Sequence, residues 1–262
     1  MKIQCPAKIN LSLKIINKRE DGFHNIESIM QTINLFDYLT LNIENSEKNE
    51  ICLSGNNSEI PYDEHNLVYK AIKLFLEQTQ IKNKKIDVYI EKNIPVSAGL
   101  GGGSTNAAGI LYGLNQYFGN ILSENELHNL CAKLGSDLNV CLKGGRLKCS
   151  GRGEILEPLD FIEFPLHLIK PDKVGISAKY AYTKFSQKEK NKVRDNYVND
   201  LEWAVIEDFV ELQKIKQKYP NAVMTGSGST YFSLDENFVP AENFWVKNDL
   251  KSINYGVKVL SK

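Results

Sequence analysis

The sequence predicts an α+β fold in two lobes, and three observations carry that prediction. Segments of alternating apolar and polar residues are interleaved with segments of helical period, without the regular strand–helix–strand repeat of a parallel sheet. The chain has 262 residues, between one and two typical domains of about 150 residues. The pattern stops and restarts at Pro158, which divides the chain into an N-terminal part, residues 1–157, and a C-terminal part, residues 158–262. With 42% hydrophobic and 24% charged residues the composition is ordinary globular usage. A chain of this length buries about 70 to 75% of the surface its unfolded form exposes, so its core needs neither disulfides nor a structural metal.

Strands are expected at residues 10–16 and at 38–44, where Leu39, Leu41 and Ile43 alternate with Thr40, Asn42 and Glu44. Residues 66–79 change period, placing Val68, Ala71, Ile72, Phe75 and Leu76 on one helical stripe. Ile86, Val88 and Ile90 alternate again, and Pro95, which has no N–H to give a ladder, marks the exit from that strand. A glycine-rich loop then runs into an amphipathic helix over 106–118. Ser123 with Glu126 is a capping box for a helix that ends at Leu134, with Gly135 as its left-handed cap and Asp137 just beyond. Turns at Gly144-Gly145 and Gly151-Arg152-Gly153 flank a strand at 146–149. The C-terminal part offers a strand at 164–170, a helix at 177–185 and a long helix at 199–218 stopped by Pro220. Two strands around Thr225-Gly226-Ser227-Gly228-Ser229, a helix after Pro240 and a last strand near Val257 complete it.

Several function classes are excluded early. Thirty-two basic side chains against 32 acidic ones remove the positive field expected of a nucleic-acid or anionic-membrane binder. Cys5, Cys52, Cys131, Cys141 and Cys149 are odd in number and never spaced C-x-x-C, which fits a reducing cytosol rather than a disulfide framework or zinc ribbon. His24, His65, His128 and His167 lack metal-site spacing, so no dedicated metal centre is expected. The charged run at residues 188–194 mixes signs and reads as a solvated segment. No apolar run approaches the roughly 18 residues of a membrane span and the N-terminus has no signal-peptide pattern, so a soluble cytoplasmic protein is expected.

The centre of the functional reading is Pro95-Val96-Ser97-Ala98-Gly99-Leu100-Gly101-Gly102-Gly103-Ser104-Thr105. Consecutive glycines let backbone N–H groups approach a bulky anion, and the helix that follows adds unpaired N–H groups and the positive end of its dipole. A phosphate fits. The loop is not a P-loop, since Gly103 is followed by Ser104 with no lysine, nor a dinucleotide fingerprint, since Ser104 stands where glycine is required. By themselves, Thr225–Ser229 reads as a hairpin, Lys8 as a surface lysine and Asp137 as a helix or turn cap.

Together, Pro6-Ala7-Lys8-Ile9-Asn10-Leu11, the glycine loop and Thr225–Ser229 resemble the three ordered motifs of the GHMP small-molecule kinases. Asp21-Gly22-Phe23-His24, Gly135-Ser136-Asp137, Gly151-Arg152-Gly153-Glu154 and Asn199-Asp200-Leu201-Glu202 are similar to the signatures of one branch, whose acceptor alcohol carries a cytidine diphosphate. The resemblance spans nearly the whole chain, least over residues 44–64 and 184–197. It implies a ribosomal-S5-like N-terminal lobe, a ferredoxin-like C-terminal lobe and an active site between them. It also implies ATP as co-substrate with Mg²⁺ brought by the nucleotide, a place in non-mevalonate isoprenoid precursor synthesis, and a monomer or weak homodimer without nucleic-acid or membrane partners.

By the same resemblance, Pro95 to Thr105 wrap the ATP phosphates, and Asn66, Leu67 and Lys92 border the adenine. Asp137 faces the accepting hydroxyl with Lys8 beside it. Asn10, Gly226 and Ser227 help hold the acceptor, Phe23 and Tyr182 sandwich the cytosine and His24 reads its edge. Three positions depart from the branch: Phe23 for tyrosine, Ala178 for threonine and Asn106 for aspartate. Homoserine- or mevalonate-type kinases of the same family, and a nucleotide-binding regulator without chemistry, are the alternatives.

Overall fold

The structure, a computed structural model, describes residues 1–188 and 196–261. Alternating segments build two sheets. In the first, β1 (Lys2–Lys18) and β2 (His24–Asn45) form one long antiparallel hairpin. It extends well past the expected 10–16 and 38–44 because polar residues such as Gln31, Thr32 and Asp37, which interrupt the apolar alternation, are themselves buried. β4 (Lys84–Glu91) pairs with β2, and β3 (Glu50–Gly55) runs parallel to β4. β5 (Arg146–Ser150) and β6 (Ile155–Pro158) branch from β2. The second sheet is antiparallel in the order β10-β7-β9-β8, with β7 (Pro165–Lys170), β8 (Val223–Met224), β9 (Tyr231–Ser233) and β10 (Trp245–Lys251). That is the strand order of a ferredoxin-like lobe. The expected division after residue 157 falls within β6, and the chain beyond it builds the second sheet except for β11 (Lys258–Ser261), which returns to pair with β1.

Helices α1 (Leu67–Thr79), α2 (Gly102–Tyr117) and α3 (Glu124–Leu134) cover one face of the first sheet. Ile72, Phe75, Ile110, Leu111 and Leu114 there meet Ile3, Leu39, Leu41, Ile86 and Val88 in a single core. Gly109 and Gly113 bring α2 unusually close to β1: a Cβ on Gly109 would lie 2.4 Å from Cys5 Sγ, and one on Gly113 2.3 Å from Ile3 Cδ1. A second core joins the far end of the hairpin to α5 (Ala178–Gln187), α6 (Asp200–Val205) and α7 (Val210–Lys218). Among the described residues no helix is long and apolar enough to cross a membrane.

Three local expectations are corrected. Gly135 has φ 170°, extended rather than left-handed, because the chain leaves α3 straight into a short unanticipated helix, α4 (Leu138–Lys143), whose N-cap position is Asp137. The long helix at 199–218 is broken by a 3₁₀ turn at Ile206–Asp208 and an extended Phe209. Every residue of α6 is buried, so an unbroken helix could not also lay Leu212 and Ile215 on the same core, as α7 does. No helix follows Pro240 among the described residues; turns lead into β10, where Trp245 and Val246 pair with Lys170 and Ile169 of β7. Sheet pairing outweighs the local helix-forming composition there. Beyond Lys188, the charged run lies outside the described residues.

The close approach of α2 sets up a test. Gly109→Ala should gain up to about 1 kcal/mol of helix propensity but overpack against Cys5 at a cost of about 1 to 3 kcal/mol. The expected outcome is net destabilisation, read as a lower urea midpoint with unchanged slope.

Candidate active site

β11 pairs with residues 2–4 of β1; further along that edge the described residues add only an isolated bridge from Leu13 to Asn199, and buried backbone donors there need other partners. Four of them find partners in three separate segments of the chain. Lys8 N–H donates to Leu100 O at 3.0 Å and Leu13 N–H to Val198 O at 3.0 Å. Asn10 N–H donates to Thr225 Oγ1 at 2.9 Å, and Ile15 N–H to the Asp200 carboxylate at 2.8 Å. One strand edge thus gathers the glycine loop, the Thr225–Ser229 turn and the Asn199–Glu202 segment. The two glycine-rich turns also touch directly, since a Cβ on Gly99 would sit 2.2 Å from Thr225 O. Asn199 steadies the second turn, donating to Met224 O at 2.7 Å and Gly226 O at 2.9 Å.

The buried Lys8 ammonium lies 2.7 Å from Asn10 Oδ1 and 3.2 Å from Asp137 Oδ2. Asp137 makes no capping bond to α4, so the cap reading does not hold, and about a third of its side chain (32%) is open to solvent. Lys8's stem passes beneath the loop, 3.0 Å from where a Cβ of Gly101 would be. Gly101 itself has φ 71° and starts α2 without a side-chain cap, whereas α1, α3, α5 and α6 are capped by Asn66, Ser123, Ser177 and Asn199. A Cβ on Gly103 would meet nothing within 4 Å. An uncapped helix start with open space over it and a lysine below is suited to an anion.

Lys8, Asn10, Gly99, Gly101, Ser104 and Asp137 line a cavity of about 900 Å³ together with Phe23, His24, Tyr182, Gly226 and Ser227. Lys92, Pro95, Val96 and Ser97, at the start of the loop, line a second cavity of about 590 Å³, joined there by Lys170 and Lys173. Asn66 and Leu67 line neither: Asn66 caps α1 and Leu67 packs against the N-terminal core. Lys92's ammonium is turned inward, ion-paired with Asp37 and 3.2 Å from Asn106 Oδ1. Asp37 also accepts Asn93 N–H, Ile94 N–H and Asn106 Nδ2 at 2.7, 2.8 and 3.0 Å. This fully bonded carboxylate ties the exit of β4 to the first turns of α2.

On the acceptor side, Phe23 is 52% exposed, with the Arg152 guanidinium 4.9 Å from its ring centroid. Tyr182 stacks on His24 at 5.1 Å rather than facing an empty gap. Burial, with Lys18 adding to it, lowers the His24 pKa below the ordinary imidazole value. Burial, reinforced by the Asp137 charge, pushes Cys149 up to about 12 and raises the Cys141 thiol and Tyr182 hydroxyl well above their usual ranges. These groups therefore stay protonated and offer no nucleophile. Sequence reasoning assigned no role to Asp37, Lys170 or Arg152. Asp37 had a signal, since it stands in register with Leu35, Leu39 and Leu41 on the buried face of β2; the two cations had none beyond Arg152's place between two glycines.

The chain is similar to known proteins over most of its length. The GHMP kinases N terminal domain family matches residues 66–145. A 4-diphosphocytidyl-2-C-methyl-D-erythritol kinase of Clostridium tetani is 41% identical over 94% of this chain and 95% of its own length, and one of Fusobacterium nucleatum is 33% identical over 99% and 95%. A crystal structure of 4-(cytidine 5'-diphospho)-2C-methyl-D-erythritol kinase superposes with a TM-score of 0.72 at 28% identity, covering 90% of both chains. A mevalonate kinase structure, at 13% identity, shares the fold with a TM-score of 0.68 over 97% of this chain and 99% of its own. Fold and motifs define an ATP-dependent small-molecule kinase of the GHMP type. The chain belongs to the 4-diphosphocytidyl-2-C-methyl-D-erythritol kinase family.

Because a methyl on Gly99 would strike Thr225 O, Gly99→Ala should part the two turns by a fraction of an ångström to an ångström. Misplacement on that scale costs about 10²-fold in rate. Turnover should fall by that order while circular dichroism shows an intact fold.

Proposed function

We propose that this chain transfers the γ-phosphate of ATP to the 2-hydroxyl of 4-diphosphocytidyl-2-C-methyl-D-erythritol, a step of non-mevalonate isoprenoid precursor synthesis. The observation that carries the reading is the Lys8–Asp137 pair, 3.2 Å apart, set between the glycine loop and a cavity large enough for a nucleotide-bearing alcohol. Relatives with that activity match the chain over nearly its whole length.

Phosphoryl transfer proceeds through a loose transition state with charge on the peripheral oxygens, so positioning and electrostatics outweigh covalent help. The main-chain N–H groups at the start of α2 hold the phosphates, and Lys8 supplies a buried cation beneath the loop. Asp137 orients the acceptor hydroxyl and takes its proton as the O–P bond forms. Mg²⁺ would arrive with ATP as part of the co-substrate; the Ser104 hydroxyl and the partly open Asp137 carboxylate, both on the cavity wall, are the hard oxygen donors that would hold such an ion. The smaller cavity beside Val96 and Ser97 takes the adenosine end, with Lys92 acting through the loop it anchors. In the larger cavity Phe23, His24 and Tyr182 receive the cytosine.

A panel of acceptors, including homoserine and mevalonate, with ADP release as readout tests the assignment. Turnover confined to the cytidine-diphosphate alcohol supports it, and turnover of either other acceptor at a comparable rate defeats it. Asp137→Asn should lower kcat by about 10²- to 10⁴-fold with KM for ATP little changed. Phe23→Ala removes a stacking face worth about 1 to 3 kcal/mol, so the acceptor KM should rise several-fold or more while the ATP KM stays put.

A further inference from the structure

We propose that Ser186 is a positioning residue that fixes which ring nitrogen of His24 carries the proton, and thereby makes His24 select cytosine over uracil. The tautomer half stands on geometry alone; the specificity half rests on the acceptor reading above. Ser186 lies in the last turn of α5, outside the motifs that carry the family resemblance.

Its Oγ is 3.1 Å from Tyr182 O, one helical turn back, and 3.0 Å from His24 Nε2. A serine hydroxyl has one hydrogen and two lone pairs. Bonding back to the carbonyl four residues earlier is the habitual use of that hydrogen in a helix, and Tyr182 O can only accept. What Ser186 offers His24 is therefore a lone pair, and Nε2 must be the N–H. A neutral imidazole has a single ring proton, so the bond at one nitrogen decides the state of the other. Nδ1 is left as a bare acceptor, with no partner among the described residues.

The surroundings favour the neutral ring and hold its plane. Burial and the neighbouring Lys18 charge disfavour protonation. Tyr182 stacks against one face with an interplanar angle of 22°, and Phe185 meets the ring edge-on at 6.2 Å. Stacking alone tolerates a half-turn of the imidazole about its Cβ–Cγ bond, which would put the ring carbons Cδ2 and Cε1 where Nδ1 and Nε2 now stand. The Ser186 bond breaks that degeneracy. His24 lines the larger cavity, so a base seated against its Nδ1 meets an acceptor. Cytosine presents an exocyclic amine at that edge and uracil a carbonyl oxygen, and a buried acceptor facing a second acceptor is penalised far more than a missing contact.

Two measurements test this on the intact protein. Long-range ¹⁵N–¹H correlation spectra of histidine-labelled protein should show His24 as the Nε2–H form, and a mixture of both forms in Ser186→Ala. The ratio of kcat/KM for the cytidine-diphosphate acceptor to that for its uridine counterpart should fall about 10-fold in Ser186→Ala and recover in Ser186→Thr, with the ATP KM following neither change. An Nδ1–H ring in wild-type enzyme that is active on the cytidine acceptor overturns the Ser186 assignment, as does a ratio unmoved by Ser186→Ala. A wild-type enzyme inactive on the cytidine acceptor, with its ring in the Nε2–H form, removes the acceptor reading and the specificity half with it.

Discussion

The unpaired edge of β1 is the constraint around which the site is assembled. A buried strand edge cannot leave its N–H groups without acceptors, and here no further strand supplies them. A loop carbonyl, a threonine hydroxyl, a second loop carbonyl and an aspartate take the places of that missing strand at Lys8, Asn10, Leu13 and Ile15. The same bonds that satisfy the backbone therefore fix the distance between the phosphate loop of the first sheet and the glycine turn of the second. Lys8 and Asn10, two residues apart, share one face of the strand, which is why both side chains emerge in the same cavity.

Charge inside the site is arranged so that little of it is free. Lys92 is matched by Asp37, and Lys8 is shared between Asn10 and Asp137. Breaking either buried pair would strand a charge, whereas the intact pairs hold fixed geometry. In the proposed reading the anion-binding role passes to oriented main-chain groups, which carry no counter-charge and need no reorganisation when phosphate charge shifts between oxygens. This is consistent with a chain whose formal charge is zero: attraction is local to a helix start rather than spread over the molecule.

The glycine loop, the capping box at Ser123 and the strand–loop–helix order were legible because each depends on neighbours in sequence. Lys8 and Asp137 were legible only through their company, since their contact joins residues 129 positions apart across two elements. Asp37 was hidden for the opposite reason: a carboxylate amid apolar alternation reads as a strand interruption until its four donors, all remote in sequence, are brought to it. The break at Phe209 and the strand in place of a helix after Pro240 answer to packing and pairing that no local window contains. Lys92 shows a further limit, because motif position puts it at the nucleotide while its ammonium turns away into the protein.

The pairing of β11 with β1 has a consequence for how the protein is made. The strand that begins the first sheet emerges from the ribosome early, yet the segment that covers its outer edge is synthesised only after the whole second sheet. Until then the backbone edge at residues 2–4 of β1 stands unpaired and open to any other nascent chain. That edge is sealed only once the strands of the second sheet have been made, and the interval before it is a period of exposure to aggregation.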